Sequence, residues 1–439
     1  MDGYKRPFRG SKVYVRKKGK EDKTLVNLYK ESEFAKEESD SIDDDIDDFI
    51  SESKPFDEES VPVKKSVKKA REKEREKAER NKSISKVIAR TLFALVAIAL
   101  LVFGGLWFFK PSSSEEIIGD ASTEKAAADE IYYSPLTGLE TKNKDIATAE
   151  AACIMIENST DARPQSGLNA AGVVYEAIAE GGITRFMAIY KDELPAWVGP
   201  IRSARQTFVQ LARPYNCGYV HVGGATNAVN TLNSSGYRNL DGGWVEGQYV
   251  FRTDDRYAPH NVYTDASHLK EWSNNKGWRE SKFTGFKRIK PDTLIEPTER
   301  NATTITVIMA GDDSYNVRWT YNVGTNKYSR AHIAGGAHMD RAKNNQQSQI
   351  TTDVVITMKT STVARPQAKA GFYDHVVTGS GEAYVFQNGT VQKATWRRAN
   401  DTDELKFFSD NNTEIELNRG HTWISIYNNT AGGSVSWKK

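Results

Sequence analysis

Cysteine is scarce in this chain, and its scarcity excludes several kinds of site. Among 439 residues the cysteines are Cys153 and Cys217. Neither stands in a CxxC pair or in a Cys/His spacing typical of zinc. Both lie in apolar, strand-like runs, ACIMIEN and CGYVHV. We expect them to be buried small hydrophobic residues; the alternative is a disulfide, which requires the two strands to be neighbours.

An excess of basic charge is also missing. The formal net charge is +2, and from residue 111 onward 35 Lys and Arg stand against 37 Asp and Glu. A dedicated nucleic-acid binder has a strong basic excess, so nucleic acid is not expected as a partner.

Nucleophile motifs are missing as well, because Ser166, Ser203 and Thr226 have no GxSxG context. No catalytic residue is assigned and no cofactor is expected.

One long apolar run is present, at residues 91–109, with the sequence TLFALVAIALLVFGGLWFF. As a helix it is roughly 28 Å long, which matches the hydrocarbon thickness of a bilayer. Residues 64–90 carry 12 Lys and Arg, whereas on the other side Lys110 is followed by no base until Lys125. The positive-inside rule therefore predicts a cytoplasmic N-terminus and an exported C-terminal part. Because the run starts about 90 residues into the chain and no clear small-residue cleavage site follows it, we expect a retained single-pass anchor.

Composition divides the chain into five predicted segments. Residues 1–86 are expected to be a disordered, charged cytoplasmic tail, 87–110 a transmembrane helix, and 111–130 a polar linker. Strand-like and helical patterns interleave over residues 131–298, which predicts an α/β domain. Residues 299–439 read as short strands with turns between them, including a hairpin at Asn388-Gly389, and predict a mostly-β second domain.

Arginine replaces lysine over much of the first predicted domain. Between residues 145 and 265 the chain has eight arginines and one lysine, Lys191. Arginine is favoured where a planar fork must hold a carboxylate or phosphate, so this bias predicts an anion-binding face. The alternative is a dense internal network of arginines and carboxylates. The residues assigned to the predicted face are Arg163, Arg185, Arg202, Arg205 and Arg256.

The stretch VGPIRSARQTFVQLA predicts a helix with Ser203 as its N-cap. Arg202 and Arg205 would then flank the first turn. Since a helix N-terminus carries partial positive charge, two arginines there indicate that a negative group lies beside them. That group is either a bound anion or an internal carboxylate from Glu157, Glu180 or Asp254.

Further polar residues stand where predicted strands end, which is where ligands bind in α/β sheets. A histidine in a strand is more often a packing residue than a base, and Asp254 with His260 has no diagnostic metal spacing, so no metal is expected. Glu157 and Glu180 are the pair of carboxylates that acid–base work on a glycan would use. The polar residues assigned to the site are Glu157, Asn158, Glu180, His221, Asp254, His260 and Asn261.

Several blocks carry a family resemblance. The runs SPLTGLE, IENSTDARPQSGLNAAGVVYEAIAEGGITRFMAIY, VGPIRSAR, YVHVGG and FRTDDRYAPHNVYT resemble the N-terminal domain of YerB-like proteins. Later runs, YSRAHIAGGAHMD, QITTDVVITM, GSGEAYVFQNG and HTWISIY, resemble that family's C-terminal domain. The resemblance covers roughly residues 133–427. It implies a bacterial cell-envelope protein with no established reaction, in a setting near peptidoglycan synthesis. This chain departs from the lipoprotein pattern, because it has the apolar run in place of a lipobox cysteine.

A second similarity is to the LytR-CpsA-Psr glycopolymer ligases, which also place an exported α/β domain after a single span. Arg185, Arg202 and Arg205 would then correspond in role to arginines that hold a polyprenyl pyrophosphate. The aspartate expected after such an arginine is missing, since Ser203 and Gln206 follow Arg202 and Arg205. We therefore expect an extracytoplasmic protein that binds an anionic cell-wall precursor, glycan or partner protein. The alternatives are an enzyme that processes glycans or polyprenyl phosphates, and a scaffold that recruits wall-synthesis proteins.

Overall fold

The computed structural model describes residues 130–439, except for residues 235, 245–246, 292, 294–296, 298, 310 and 366–372. The predicted tail, the predicted membrane helix at 87–110 and the linker up to residue 129 therefore lie outside the described residues. In the part of the chain that is described, no helix has the length and apolar character needed to cross a membrane.

Strands are far more numerous than helices in the described part of the chain. The first group comprises β1 (Tyr132–Tyr133), β2 (Glu140–Thr141), β3 (Ala152–Glu157), β4 (Val173–Glu180), β5 (Ile183–Tyr190), β6 (Gly218–His221), β7 (Arg238–Asp241), β8 (Phe251–Arg252) and β9 (Val262–Tyr263). The second group comprises β10 (Thr304–Ile308), β11 (Val317–Asn322), β12 (Lys327–His332), β13 (Gly336–Ala337), β14 (Met339–Arg341), β15 (Gln347–Gln349), β16 (Thr351–Thr352), β17 (Val354–Lys359), β18 (Thr362–Ala364), β19 (Tyr373–His375), β20 (Gly379–Gln387), β21 (Thr390–Arg398), β22 (Lys406–Phe408), β23 (Thr422–Tyr427) and β24 (Ser434–Lys438). The α-helices are α1 (Gln206–Ala212), α2 (Thr226–Leu232) and α3 (Ala266–Asn275). The fold is thus strand-rich in both halves, and the helices expected in the first half are short.

A ten-stranded sheet forms the centre of the fold, in the order β22-β21-β20-β17-β23-β4-β5-β3-β6-β7. Strand β4 pairs in parallel with β23, so that Val173 lies opposite Thr422. Strands from both sides of residue 298 therefore share one sheet. The predicted domain boundary at residue 298 remains a prediction. In the structure, the ten-stranded sheet contains strands from both sides of that boundary.

The central strands are buried on both faces, and their sequences show why. All six residues of β3, ACIMIE, are buried, as are all six of β23, TWISIY. Alternate side chains of β3 enter two different cores: Cys153 packs with residues of α1 such as Phe208, and Ile154 packs with β10 and β11. The sheet therefore lies between a layer that contains α1 and a second, six-stranded sheet that contains β10 to β13, β16 and β24.

Two hairpins in the main sheet have two-residue turns with positive φ. Gly181 and Gly182 join β4 to β5 with φ of 52° and 80°. Asn388 and Gly389 join β20 to β21 with φ of 57° and 73°. Both turns have the backbone that matches the twist of the flanking strands. The predicted hairpin at Asn388-Gly389 is confirmed.

Cys153 and Cys217 form a disulfide, with their Cα atoms 5.8 Å apart. Cys217 directly precedes β6, and β6 runs parallel to β3, with Cys153 opposite Tyr219. The expectation of two unpaired cysteines was wrong, and the alternative holds because the two strands are neighbours.

Helix α1 begins later than the sequence pattern predicted. It starts at Gln206, and its N-cap is Arg205, in an extended conformation. The predicted N-cap Ser203 lies in a short extended segment, residues 201–204, that hydrogen-bonds to the main sheet. The prediction was wrong because the backbone of these residues is used by the sheet, through bonds such as Arg202 N to Met155 O at 3.1 Å.

Candidate functional site

The extended segment at residues 201–204 lies between the ends of two parallel strands. Strands β3 and β6 pair over Ala152 to Ile154 and then separate. Beyond that point Ile201 forms an antiparallel bridge with Ile156, and Ala204 forms a parallel bridge with Gly224. The segment thus places Arg202 beside the carboxyl end of β3, the usual position for ligand sites in such sheets.

Arg185 and Arg205 converge on one internal carboxylate, Glu180. Nη2 of Arg185 lies 2.6 Å from Oε1 of Glu180, and Nε of Arg205 lies 2.8 Å from its Oε2. Nη2 of Arg205 contacts Oε2 as well. The side chains of the two arginines are 4% and 2% exposed. At these two positions the internal ion pair, rather than an open anion site, is the observed arrangement.

The electrostatics agree with a tight pair. Burial alone would raise the pKa of Glu180, but the guanidinium groups of Arg185 and Arg205 outweigh it and hold the pKa well below its usual range. Burial lowers the pKa of Arg185 to about 10. All three groups are therefore charged at neutral pH.

The second half of the chain supplies one more arginine to this pair. Nη1 of Arg365 lies 4.0 Å from Oε2 of Glu180, and its Nε lies 3.2 Å from Oδ1 of Asp374. Both residues come from the hairpin of β18 and β19, which is distant in sequence. Sequence reasoning missed Arg365 and Asp374, and no local pattern points to them.

A second carboxylate, Glu157 at the end of β3, organises a more open cluster. Its Oε1 accepts a hydrogen bond from Oγ of Ser159 at 2.8 Å and lies 2.9 Å from Nδ1 of His260. Nε of Arg202 is 3.4 Å from the same oxygen. Glu157 is 3% exposed, whereas the side chains of Arg202 and His260 are 19% and 24% exposed. We call these four residues the Glu157 cluster.

Hydrogen-bonding capacity remains unused within the Glu157 cluster. Among the described residues, neither the buried Oε2 of Glu157 nor Nε of Arg202 has a hydrogen-bond partner. Burial raises the pKa of Glu157, but the hydrogen bond from His260 and the charge of Arg202 outweigh it and lower the pKa overall. The carboxylate is thus ionised but buried, and the exposed part of the cluster is supplied by the side chains of Arg202 and His260.

Arg163 and Asn158 serve the local structure. Oδ1 of Asn158 accepts from Nε of Arg163 at 3.1 Å, and its Nδ2 donates to Oγ1 of Thr184 at 2.7 Å. Nη2 of Arg163 donates to the backbone oxygen of Ser314 at 2.8 Å. Burial lowers the pKa of Arg163 to about 10. These contacts join the end of β3 to the loop before β11.

The loop at residues 253–261 carries four of the predicted site residues but brings one of them, His260, to the Glu157 cluster. Arg256 donates to the backbone oxygen of Pro164 at 2.6 Å, and Nδ2 of Asn261 donates to the backbone oxygens of Thr253 and Arg256. Asp254 is exposed. Within the described ranges, no group of three or more His, Cys, Asp and Glu side chains is arranged to hold a metal ion.

His221 lies apart from the Glu157 cluster. It is fully buried, its Nδ1 lies 2.6 Å from the backbone oxygen of Gly223, and its Nε2 lies 2.7 Å from Oδ1 of Asn239. Both ring nitrogens are used in joining β6 to its neighbours.

A fully buried ion pair also joins the two halves of the chain and was missed by sequence reasoning. Oε1 of Glu176, in β4, lies 2.7 Å from Nη2 of Arg330, in β12, and both side chains are 0% exposed. Nε1 of Trp423 donates to the other oxygen of Glu176 at 3.0 Å. Arg330 contacts Nδ1 of His338, whose Nε2 donates to Oε1 of Gln165 at 2.7 Å. The pair is separated by 154 residues in sequence, so a single sequence contains no signal for it.

Comparison with known proteins agrees with this fold. The model of the Protein of unknown function (DUF3048) N-terminal domain matches residues 136–279, and that of the DUF3048 C-terminal domain matches residues 305–424. The chain is 29% identical to "Putative lipoprotein YerB" of Bacillus subtilis (strain 168) over 318 residues, which are 69% of this chain and 88% of the relative.

A solved structure is also similar. The crystal structure of YerB protein from Bacillus subtilis superposes with a TM-score of 0.61 at 27% identity, covering 70% of this chain and 99% of that one. Both matched family domains, in the same order, together with this similarity in three dimensions, confirm the resemblance read from the sequence. The chain therefore belongs to the YerB-like (DUF3048) family of proteins, whose function is unknown.

Proposed function

We propose that this chain is a membrane-anchored extracytoplasmic protein that binds an anionic group of a cell-wall precursor or glycan at the Glu157 cluster. The observation that carries the proposal is the state of Arg202. Arg185 and Arg205 are buried against Glu180, whereas the side chain of Arg202, whose Nε lies 3.4 Å from Oε1 of Glu157, is 19% exposed.

The ligand implied by this cluster has an acceptor and a donor close together. The guanidinium of Arg202 favours a phosphate or carboxylate oxygen. The imidazole of His260, whose side chain is 24% exposed and which pairs with the same carboxylate, favours a hydroxyl group. A sugar acid or a sugar phosphate has both groups within a few bonds. Five arginines were assigned to the predicted anion-binding face. The proposal retains Arg202 as the arginine that contacts the ligand, with His260 beside it.

Three observations support an exported, anchored location. The apolar run at residues 91–109 has the length and flanking charges of a signal anchor. The Cys153–Cys217 disulfide is of a kind that persists in oxidising compartments. The Bacillus subtilis relative bears the name "Putative lipoprotein YerB", which is consistent with attachment to a membrane.

Binding is better supported than glycoside hydrolysis by the two carboxylates. Glycosidases need one carboxylic acid whose pKa is raised, so that it is protonated when it meets the substrate. Here the pKa values of Glu157 and Glu180 are both lowered by arginine or histidine neighbours. Neither residue is suited to donate a proton at neutral pH. Recruitment of wall-synthesis proteins by the second half of the chain or by the tail stays an alternative prediction.

The test is titration calorimetry on residues 130–439, with inorganic pyrophosphate as the probe and purified peptidoglycan in a co-sedimentation assay. Arg202→Gln should weaken pyrophosphate binding about tenfold or more, because a charge-assisted contact contributes about 1.5 to 3 kcal/mol. Arg202→Lys, which keeps the charge but loses the planar fork, should weaken it less. Arg318→Gln is the matched control, since Arg318 is an exposed arginine on β11.

The proposal fails if Arg202→Gln and Arg318→Gln, both folded by circular dichroism, bind pyrophosphate and peptidoglycan as the wild type does. It also fails if the wild type binds neither probe. Release of product from wall material by the purified protein, lost on Glu157→Gln, would establish the enzymatic alternative in its place.

A further inference from the structure

A groove of about 540 Å³ lies between the loop at residues 195–197 and the hairpin of β14 and β15. Its walls include Trp197, Arg341, Lys343, Gln346 and Gln347. None of these residues belongs to the Glu157 cluster. The volume is in the range of pockets that hold small ligands.

Trp197 gives the groove a rigid, flat apolar surface. Its ring stacks on Tyr263 with centroids 5.0 Å apart and an interplanar angle of 21°, and it packs against Phe251 at 5.2 Å. These two contacts fix the ring, while the indole stays half-buried and lines the groove. Little conformational entropy is therefore lost when a ligand packs against it.

The rim of the groove is polar and carries positive charge. Gln346 and Gln347 are exposed and offer amide donors and acceptors. Nζ of Lys343 lies over the Trp197 ring, 5.1 Å from its centroid, and this exposed, flexible side chain can move off the ring when a ligand packs there. Among the described residues Lys343 has no carboxylate partner, whereas Arg341 is paired with Asp255. The ammonium group of Lys343 is thus the charged group that can pair with a ligand in the groove.

Asp340 also lines the groove, but its carboxylate is bonded to the backbone inside the protein. Its carboxylate accepts the backbone N–H groups of Leu168 and Asn169, at 3.3 Å and 2.9 Å. It is 9% exposed, so its oxygens are largely turned into the protein. The groove therefore favours a ligand of negative charge.

We propose that this groove binds an acidic saccharide, a sugar residue that carries a carboxylate. A sugar ring has a face of C–H groups, which would pack on Trp197, and an edge of hydroxyl groups, which would meet Gln346 and Gln347. The carboxylate would meet Lys343. The flat ring of Trp197, bordered by two amide side chains and the ammonium group of Lys343, matches these surfaces of an acidic sugar. It matches a purely apolar or purely anionic ligand less well.

The groove and the Glu157 cluster are neighbours but separate. Gln165 connects them: its backbone oxygen accepts from the backbone N–H of Arg341 at 2.8 Å, and its side chain donates to the backbone oxygen of Glu157 at 2.9 Å. The inference goes beyond the function proposed above, because the groove can bind its ligand whether or not Arg202 binds an anion.

The test is titration of residues 130–439 with trigalacturonate, followed by tryptophan fluorescence and by calorimetry. The neutral trisaccharide of N-acetylglucosamine is the comparison ligand. We expect trigalacturonate to bind more tightly, and Lys343→Gln to weaken its binding about two- to fivefold, as loss of one solvent-exposed charged contact would. Lys393→Gln, at an exposed lysine on β21, is the matched control and should bind as the wild type does. Trp197→Phe should keep most of the affinity, and Trp197→Ala should lose it.

Trp197→Ala removes a packed ring, so the fold of this variant is checked by circular dichroism. If Trp197→Ala is unstable, the result for Lys343→Gln decides the test. Equal affinity of Lys343→Gln and the wild type for trigalacturonate would overturn the proposal. Loss of trigalacturonate binding on Arg202→Gln but not on Lys343→Gln would also overturn it, while leaving the Glu157 cluster as the anion site. Loss on Lys343→Gln but not on Arg202→Gln supports the groove, independently of the pyrophosphate result.

Discussion

Arg205 and Glu180 form a buried ion pair in which Nε of the arginine lies 2.8 Å from Oε2 of the carboxylate. Arg205 is the N-cap residue of α1, where a cation is unfavourable on its own. Glu180, at the end of β4, supplies the negative charge that the position requires. Internal pairing therefore accounts for both arginines before α1, because Glu180 is the partner of Arg205 and Oε1 of Glu157 lies 3.4 Å from Nε of Arg202, whose side chain is 19% exposed.

We expect Glu180→Gln to lower the free energy of unfolding by about 3 to 5 kcal/mol, because it leaves Arg185 and Arg205 buried without their counter-charge. Urea unfolding followed by circular dichroism measures the change. The matched control is Glu416→Gln, whose pair with Lys287 is 43% and 49% exposed on the two side chains. That variant should lose less than about 1 kcal/mol. Equal losses in the two variants would contradict the assignment of a buried pair.

Stability should fall as the pH drops below about 5. The pKa of Glu180 in the folded protein lies well below its ordinary value of 4.5, so the unfolded chain takes up the proton first as acid is added. The contribution of Glu180 is therefore complete above its unfolded pKa and is lost as the pH falls through the folded one. The pKa of Glu157 is shifted in the same direction.

Urea midpoints measured at pH 7, 5 and 3.5 provide the check. The wild type should lose stability over this range, and Glu180→Gln should lose less, since it has no proton to take up at this position. A parallel decline in the two proteins would show that Glu180 does not contribute to the acid sensitivity.

Much of the strand framework follows from the sequence, and the reasons are local. The runs ACIMIE and TWISIY are mostly apolar, with Glu157, Thr422 and Ser425 as the polar exceptions, as is typical of strands buried on both faces. The Asn388-Gly389 turn is set by two residues that accept positive φ. For these strands and this turn, the residues that determine the structure lie within the element itself.

Where the outcome depends on partners far along the chain, local patterns were insufficient. Ser203 has the chemistry of an N-cap, yet the neighbouring backbone pairs with β3 and β6, and the helix starts at Gln206. Arg365 reaches Glu180 from a hairpin that folds back from the second half of the chain. The same holds for the Glu157 cluster, since His260 is 103 residues from Glu157. Glu157, Arg202 and His260 could be named as candidates, but their grouping could not be derived.

The disulfide gives a prediction about purified residues 130–439. Protein from an oxidising compartment, unfolded in guanidinium without reductant, should show no reactive thiol, because Cys153 and Cys217 are bonded. The link closes a loop of 64 residues, so the double variant Cys153→Ala/Cys217→Ala should lose about 2 to 4 kcal/mol of stability. Thiol titration and urea unfolding measure the two effects. Two reactive thiols per chain would contradict the bond.

The continuity of the main sheet predicts that residues 130–298 do not fold alone. Strand β4 is largely buried and pairs in parallel with β23, from Val173 opposite Thr422 to Ala177 opposite Ile426. Without β17 and β23 this strand becomes an exposed apolar edge, which favours aggregation. The buried Glu176 also loses Arg330, the counter-charge that comes from β12.

Gel filtration and near-ultraviolet circular dichroism of residues 130–298, 299–439 and 130–439 would test this expectation. The short pieces should be aggregated or lack fixed tertiary packing, whereas 130–439 should be folded. Co-expression of the two pieces should restore a folded complex, because every strand pair of the main sheet is then available again. If residues 130–298 alone gave a monomer with native near-ultraviolet signal, the segment would be an independent domain, and the pairing of β4 with β23 would be dispensable for its fold.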